Sequence, residues 1–211
     1  MPNKGTDHEV PRQIARRLHH ESSDACNTVV NDNGVLTGTI TDGIGAMQAL
    51  KDEGVEYVGK KMVVIGAGGA ATAIQVQAAL DGVRELTIFN LDDEFFARGE
   101  ETVKKLRERT DCIVNIYHLE DHAKLKEELD SADILIDSSS CGMKPLEDVV
   151  ALPDKSYLRP DLVVMDTVYA PRQTKLMRWC DEVGCKNFNG LGMMLYQAPL
   201  PSNFGQAKKC R

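Results

Sequence analysis

The sequence predicts an α/β protein built on a doubly wound parallel sheet. From residue 61 onward, short apolar runs alternate with segments of helical length. The apolar runs are nearly continuous, as at residues 162–165, which is typical of parallel strands covered on both faces. The first run ends in a glycine-rich turn at residues 66–69, and a helix of small residues follows it. These observations together predict a six-stranded sheet with helices on both sides.

The elements can be assigned in order along the chain. Before the sheet we expect a polar helix at 11–21, a hairpin of strands at 26–30 and 35–39, and a helix at 41–53 that Thr41 or Asp42 caps. The strands of the sheet are expected at 61–65, 86–90, 113–117, 133–137, 161–165 and 186–188. Helices are expected at 70–81, 94–109, 121–130 and 172–184, with a last one that starts near residue 190.

The glycine turn has the chemistry of a phosphate-binding turn of the Rossmann type. Its residues are Gly66, Ala67, Gly68, Gly69 and Ala70. The first glycine permits the tight turn, and the second lets the backbone approach a pyrophosphate. Backbone N–H groups at the start of the following helix then face the anion. A dinucleotide cofactor is the expected ligand.

Acidic residues after the second strand indicate which dinucleotide binds. Asn90, Asp92 and Asp93 follow that strand, and a carboxylate here would bond a ribose 2′-hydroxyl and repel a 2′-phosphate. We therefore predict NAD, with NADP as the alternative. Asp92 and Asp93 also suit a second interpretation as caps of the helix near Glu94, and both roles can hold together.

Composition and charge argue against several classes of ligand and partner. The 211 residues carry a net charge of −7 without a basic block, which disfavours nucleic acid as a partner. No apolar run approaches the roughly 20 residues of a membrane span, and the polar N-terminus predicts a cytoplasmic protein. The six cysteines form no C-x-x-C pair, so we expect no metal site. His118 and His122 could share a helix face, but no third ligand accompanies them.

Several ordered segments resemble the shikimate/quinate dehydrogenase family. They lie at residues 1–4, 27–31, 41–43, 66–70, 142–145, 168–171 and 190–193, with Gln197 beyond them. Residues 89–96 look like the branch that accepts NAD. The resemblance implies a reversible hydride transfer between a nicotinamide and a ring alcohol, which interconverts shikimate or quinate and the corresponding 3-dehydro acid.

The resemblance also implies roles for individual residues. Lys4 and Asp42 match the family's catalytic pair, in which a lysine exchanges the hydroxyl proton and a carboxylate orients the substrate. Asn27 and Gln197 would bond the substrate hydroxyls, and Tyr169 would lie near the substrate. Gly190 and Met193 would contact the cofactor on its nicotinamide side.

The chain departs from the family pattern at both ends and inside the cleft. We expect residues 1–42 to be a remnant of a substrate-binding domain and residues 43–211 to be the dinucleotide-binding domain. Ile40 stands where the family usually has asparagine, and residues 137–141, which begin with Asp137, replace a polar segment that contains asparagine. Pro199 and Pro201 interrupt the helix with which the family continues. With one wall of the cleft absent, little oxidation of shikimate by this chain alone is expected, because substrate orientation supplies much of the catalysis. Exposed apolar surface would favour a homodimer.

Two other hypotheses stay open. One is an NAD-binding module without catalysis, which would bind the cofactor but give no turnover. The other is a different Rossmann oxidoreductase, which would need a catalytic histidine or a Tyr-x-x-x-Lys pair. Tyr57 and Lys60 are only three residues apart and do not match that spacing.

Overall fold

The computed structural model describes residues 26–32, 35–197 and 207–209. The helix expected at 11–21, Lys4 and both C-terminal prolines lie outside the described residues. The strands are β1 (Thr28–Asp32), β2 (Val35–Thr39), β3 (Lys61–Ile65), β4 (Glu85–Asn90), β5 (Ile113–His118), β6 (Ile134–Asp137), β7 (Val163–Asp166), β8 (Lys186–Phe188) and β9 (Ala207–Lys209). The helices are α1 (Asp42–Asp52), α2 (Gly69–Leu80), α3 (Glu94–Arg109), α4 (His122–Ser131), α5 (Lys175–Val183) and α6 (Leu191–Tyr196).

The large sheet has the strand order of a doubly wound dinucleotide-binding fold. Its order is β5-β4-β3-β6-β7-β8, and every neighbouring pair is parallel. The chain runs outward from β3 to β5 and then returns to the other side of β3 at β6. The connections after β3 and β6 therefore leave on opposite faces, which opens a crevice at the carboxyl edge of the sheet. The predicted fold class is confirmed.

The central strands form the middle of the core. All five residues of β3 are buried, because the sheet carries helices on both faces. On one face, side chains such as Leu50 of α1, Ile74 of α2 and Leu106 of α3 pack in one cluster. On the other face, Leu125 of α4 and Leu176 of α5 pack in a second cluster.

A small antiparallel sheet lies apart from the large one. The predicted hairpin forms, with Thr28 opposite Thr39, and β9 adds to the free side of β1. The division of the chain at residue 42 stays a prediction.

Local capping chemistry explains where the observed bounds differ from the predicted ones. α5 starts at Lys175 rather than near residue 172, because the Thr174 side chain accepts a bond from the Met177 N–H. It ends at Val183 because Gly184 takes up a left-handed conformation, with φ of 91°. His118 and His122 do not share a helix face, since His118 ends β5 and His122 begins α4.

None of the helices in the described part of the chain combines the length and the hydrophobicity that crossing a membrane requires.

Candidate functional site

A cavity of about 570 Å³ occupies the crevice at the carboxyl edge of β3, β4 and β6. Backbone and small side chains of the glycine turn form its floor, and residues after β6 form one wall. The residues that line it include Gly66, Ala67, Gly68, Asn90, Asp93, Phe95, Leu119, His122, Ser138, Ser139, Cys141, Leu146, Val149 and Val150. A volume of this size suits a small ligand or part of a dinucleotide.

The glycine turn leaves room for an anion above the start of α2. Gly66 has φ of 109°, and a Cβ there would lie 2.8 Å from the Ser138 carbonyl oxygen, so a side chain is excluded on two grounds. Gly68 is the N-cap of α2, and a Cβ at this residue would meet no described atom within 4 Å. The N-terminal N–H groups of the 12-residue helix α2 therefore face open space, as an anion site requires.

Two buried amides hold the turn in place. The Asn90 Oδ1 atom accepts a 2.9 Å bond from the Ala67 N–H, and its Nδ2 atom donates to Asp93 Oδ1 at 2.8 Å. From the opposite side, Gln75 Nε2 donates to the Gly66 carbonyl at 2.8 Å. The predicted cofactor residue Asn90 thus supports the turn through bonds within the protein, and the Ala67 N–H is already used.

The two acidic residues after β4 have different environments. Asp93 lines the cavity, and its Oδ1 atom accepts from the Phe95 N–H at 2.9 Å as the N-cap of α3. Asp92 is exposed, as Asp93 is, but does not line the cavity. The capping interpretation is confirmed for Asp93, and the same carboxylate faces the cleft.

A second polar cluster joins three residues that are far apart in the sequence. Asn27 Nδ2 donates to Asp42 Oδ2 at 2.7 Å, and Gln197 Nε2 donates to Asp42 Oδ1 at 2.8 Å. All three side chains are partly exposed. Burial raises the pKa of Asp42 above its ordinary value, although a backbone hydrogen bond opposes the shift. The structure therefore brings together three of the residues predicted to bind or convert substrate.

Close packing of α1 on α6 sets the geometry of this cluster. A Cβ at Gly45 would lie 2.6 Å from the Met193 carbonyl oxygen, so only glycine fits. Thr41 adds a bridge, because its hydroxyl oxygen lies 3.1 Å from the Gln197 carbonyl and 3.2 Å from Asn27 Oδ1. The start of α1 and the end of α6 are therefore fixed against each other.

The other predicted residues lie around α6. A side chain at Gly190 would collide with the Thr167 carbonyl, and the Gly190 N–H donates to the Val168 carbonyl at 3.1 Å. Met193 is buried against the core. Tyr169 lies in the loop after β7 and is 47% exposed, and within the described part of the chain it makes no hydrogen bond to Asp42.

Some residues that shape the site were missed from the sequence. Gln75 could have been noticed, because it is a polar residue inside an otherwise small and apolar helical segment. Thr41 was seen only as a helix cap, yet its hydroxyl bridges two parts of the cluster and makes no capping bond. Nothing in the sequence marks Asp166 as a site residue, because it only ends a short apolar run.

Comparison with known proteins connects this geometry to a family. None of the protein-family models matches the chain. Over 197 residues, 93% of its length, the chain is 49% identical to the shikimate dehydrogenase (NADP(+)) of Listeria monocytogenes serotype 4b. It spans 67% of that relative.

Solved structures give the same result. The chain superposes with a TM-score of 0.82 on shikimate 5-dehydrogenase from Listeria monocytogenes in complex with shikimate and NAD, at 51% identity. It superposes with a TM-score of 0.73 on quinate dehydrogenase from Corynebacterium glutamicum in complex with NAD, at 26% identity. These alignments cover 85% and 86% of this chain and 62% of each of those chains, so the chain spans less than two thirds of either solved protein. The identity to the curated relative, the fold and the convergent cluster show that the chain belongs to the shikimate dehydrogenase family.

Proposed function

We propose that the chain is an NAD-dependent oxidoreductase that interconverts shikimate or quinate and the corresponding 3-dehydro acid. The single observation that carries the proposal is the cluster of Asn27, Asp42 and Gln197, which joins the start of α1 to the end of α6 in a dinucleotide-binding fold. Support comes from the relatives, which include an enzyme named for shikimate and one named for quinate.

The residues of this chain that form the cleft suit NAD. The open backbone at Gly68 and the N-terminus of α2 would hold the pyrophosphate, and Asp93 would face the adenosine ribose. The negative charge of Asp93 favours a ribose hydroxyl over a 2′-phosphate, so NADP is the weaker alternative. When bound, NAD supplies the acceptor for the hydride that leaves the substrate carbon.

Asp42 is suited to orient a substrate that carries several hydroxyl groups. Both of its carboxylate oxygens accept bonds from side-chain amides, which fixes the plane of the group. Each amide nitrogen carries two hydrogens and uses one of them on Asp42, so the second remains for a substrate hydroxyl. The three side chains together present donors and an acceptor to adjacent ring hydroxyls.

Lys4 completes the proposed chemistry but lies outside the described residues. Its predicted role is to take the hydroxyl proton while the hydride leaves, which prevents a charged alkoxide from accumulating. Tyr169 and Met193 are proposed to border the substrate and the nicotinamide. The role of each of these residues rests on the resemblance.

The test is the absorbance of NADH formed from NAD and shikimate, or from NAD and quinate, by the 211-residue chain at high concentration, since only slow turnover is expected of it. We expect Asp42→Asn to lower kcat by about 100-fold, because positioned acid–base groups contribute roughly 10²- to 10⁴-fold. Lys4→Ala should cause a loss of similar size. Asp111→Asn, which changes an exposed aspartate far along the chain from the cluster, is the matched control.

Each outcome separates the hypotheses. Turnover that Asp42→Asn and Lys4→Ala abolish supports the proposal. Binding of NAD with no turnover for either acid would overturn it in favour of the binding module. Turnover that survives both substitutions would mean that other residues carry the chemistry.

A further inference from the structure

Two buried carboxylates end neighbouring strands of the sheet. Asp137 is the last residue of β6 and Asp166 is the last residue of β7, and the two are paired in register. They are 3% and 2% exposed. Paired residues of adjacent strands point to the same face, and the strands lie about 4.8 Å apart. The two acidic side chains are therefore immediate neighbours inside the protein.

Among the described residues, no cationic side chain pairs with either carboxylate. The ion pairs formed by the described residues include neither Asp137 nor Asp166. The titratable groups that face them are thiols, namely Cys141 from the loop after β6 and Cys180 from α5. Burial raises the pKa of both thiols, so neither supplies charge near neutral pH. Two negative charges at this place would be uncompensated.

Each carboxylate organises the loop that follows its strand. Asp137 Oδ1 accepts from the Ser139 N–H at 2.9 Å, and Ser139 Oγ accepts from the Cys141 N–H at 3.2 Å, which shapes the wall of the cavity. Asp166 Oδ1 accepts from the Val168 N–H at 2.9 Å, and its Oδ2 atom accepts from the Thr174 hydroxyl at 2.6 Å.

The second loop leads directly to α6. The Val168 carbonyl accepts from the Gly190 N–H, so the position of Val168 sets where α6 begins. The cluster residue Gln197 follows at the end of that helix. A change at Asp166 can therefore shift the start of α6 and, through Asp137, the loop after β6 that lines the cavity.

We propose that Asp137 and Asp166 hold one proton between them at neutral pH and act as a positioning pair that locks the loop after β6 to the loop after β7. Loss of that proton to solvent leaves two like charges side by side. Their repulsion then loosens the bonds to Ser139 and Val168, and the two loops separate. The proposal concerns the protein alone and does not depend on which substrate the cleft takes.

Electrostatics agrees with the geometry. Burial, and next the charge of Asp137, raise the pKa of Asp166 to about 7, while burial raises the pKa of Asp137. Two carboxylates that share a buried site cannot both ionise easily, and they titrate as a pair. A carboxyl whose pKa is higher in the folded than in the unfolded state stabilises the fold at low pH, and that contribution is lost as the pH rises through the folded value.

The experiment follows the unfolding temperature of the full chain between about pH 5.5 and about pH 8.5, the window in which the pair loses its proton. The variants are Asp137→Asn and Asp166→Asn, which keep an acceptor oxygen but remove one charge. Asp111→Asn is the control, because it removes an exposed carboxyl without a neighbour of this kind. Exchange of the Ser139 and Val168 amides with deuterium, corrected for intrinsic rates, is measured over the same range.

We expect the wild type and the control to lose several degrees of unfolding temperature towards high pH, with faster exchange at both amides. Either asparagine variant should flatten both profiles. An infrared band of a protonated carboxyl, present in the wild type at about pH 6 and reduced in Asp137→Asn, would support the shared proton directly. The proposal is overturned if the variants keep the wild-type pH dependence, or if the wild type shows no protonated carboxyl. Absence of the band from the wild type overturns the proposal even if a variant does not fold.

Discussion

The glycine turn depends on the buried side chain of Asn90 at the end of β4. Asn90 is 7% exposed and uses both ends of its amide, one on the Ala67 N–H and the other on Asp93 and the Leu91 carbonyl. Its removal would leave the buried Ala67 N–H without an acceptor. Unsatisfied buried groups of this kind cost about 1–3 kcal/mol.

Asn90→Ala is therefore predicted to lower the free energy of unfolding by about 2 kcal/mol and to weaken NAD binding as well. Urea unfolding and calorimetric titration would measure the two effects. Asn115→Ala on β5 is the control, because its side chain accepts from Arg107 near the surface. Equal losses for the two variants would contradict the supporting role of Asn90.

Asp93 is predicted to set the choice between NAD and NADP. Asp93→Asn keeps an oxygen to cap α3, since asparagine is as good an N-cap as aspartate, but it removes the charge that faces the cleft. We expect the ratio of NADP to NAD affinity to rise about tenfold, because like charges placed together at a binding surface cost a kcal/mol or more.

Asp92→Asn is the matched comparison for Asp93, since Asp92 is exposed and lies outside the cavity lining. Titration of each variant with both cofactors would measure the ratio. A larger shift of the affinity ratio in Asp92→Asn than in Asp93→Asn would show that Asp92, and not Asp93, contacts the ribose.

At the scale of elements, the contact between α1 and α6 holds the polar cluster together. Gly45→Ala is predicted to destabilise the fold by about 1–3 kcal/mol, because its Cβ would overlap the Met193 carbonyl and force the helices apart. Activity should fall together with stability, since Asp42 begins α1 and Gln197 directly follows α6. Ile44→Ala, at a neighbouring position that is 52% exposed, should leave urea unfolding nearly unchanged. A Gly45→Ala protein with normal stability would show that the helices can move without cost.

A buried ion network joins α4 to the sheet at the edge opposite the cleft. Lys61 bonds Glu128 at 2.7 Å and Glu85 at 2.9 Å, and Lys124 bonds Glu128 at 2.7 Å. Burial opposes the charge of Glu128, but bonds from Lys124, Lys61 and Thr87 outweigh burial and hold its pKa below the ordinary 4.5. A carboxyl with a lowered pKa stabilises the fold above its unfolded value, and that contribution is lost as the pH falls.

Glu128→Gln should therefore cost about 3 kcal/mol near neutral pH, because it leaves a buried lysine with one fewer partner. The difference from wild type should shrink as the pH falls below the ordinary glutamate pKa of 4.5, because Glu128 then gains a proton. Urea unfolding at a series of pH values measures this trend. A difference that stays constant with pH would mean that packing, and not charge, explains the loss.

At the scale of the whole molecule, the fold was predictable because its signals are local. Each strand of the parallel sheet is a short apolar run, and the turn at Gly66 and Gly68 needs glycine for reasons visible in the sequence. The observed start of a helix differs from the predicted start by a few residues where a capping residue such as Thr174 sets it. The fold class therefore follows from periodicity and turn chemistry alone.

The site was predictable only in part, because its contacts join distant positions. Asp42 and Gln197 are 155 residues apart, and only the family resemblance indicated that they meet. The pair of Asp137 and Asp166 depends on which strands become neighbours and on their register, and neither follows from periodicity. The Thr41 bridge depends likewise on where α6 ends.

The central claim is that this chain moves a hydride between its cofactor and a shikimate or quinate ring. The most direct measurement is isotope transfer: the chain is incubated with NAD and with shikimate or quinate that carries deuterium at C3, and the nicotinamide is then examined by NMR. We predict that deuterium is found at C4 of the reduced nicotinamide with at least one of the two acids, and that Asp42→Asn strongly slows its transfer. Bound NAD that stays free of deuterium with both acids would contradict the claim and leave the chain as a cofactor-binding module.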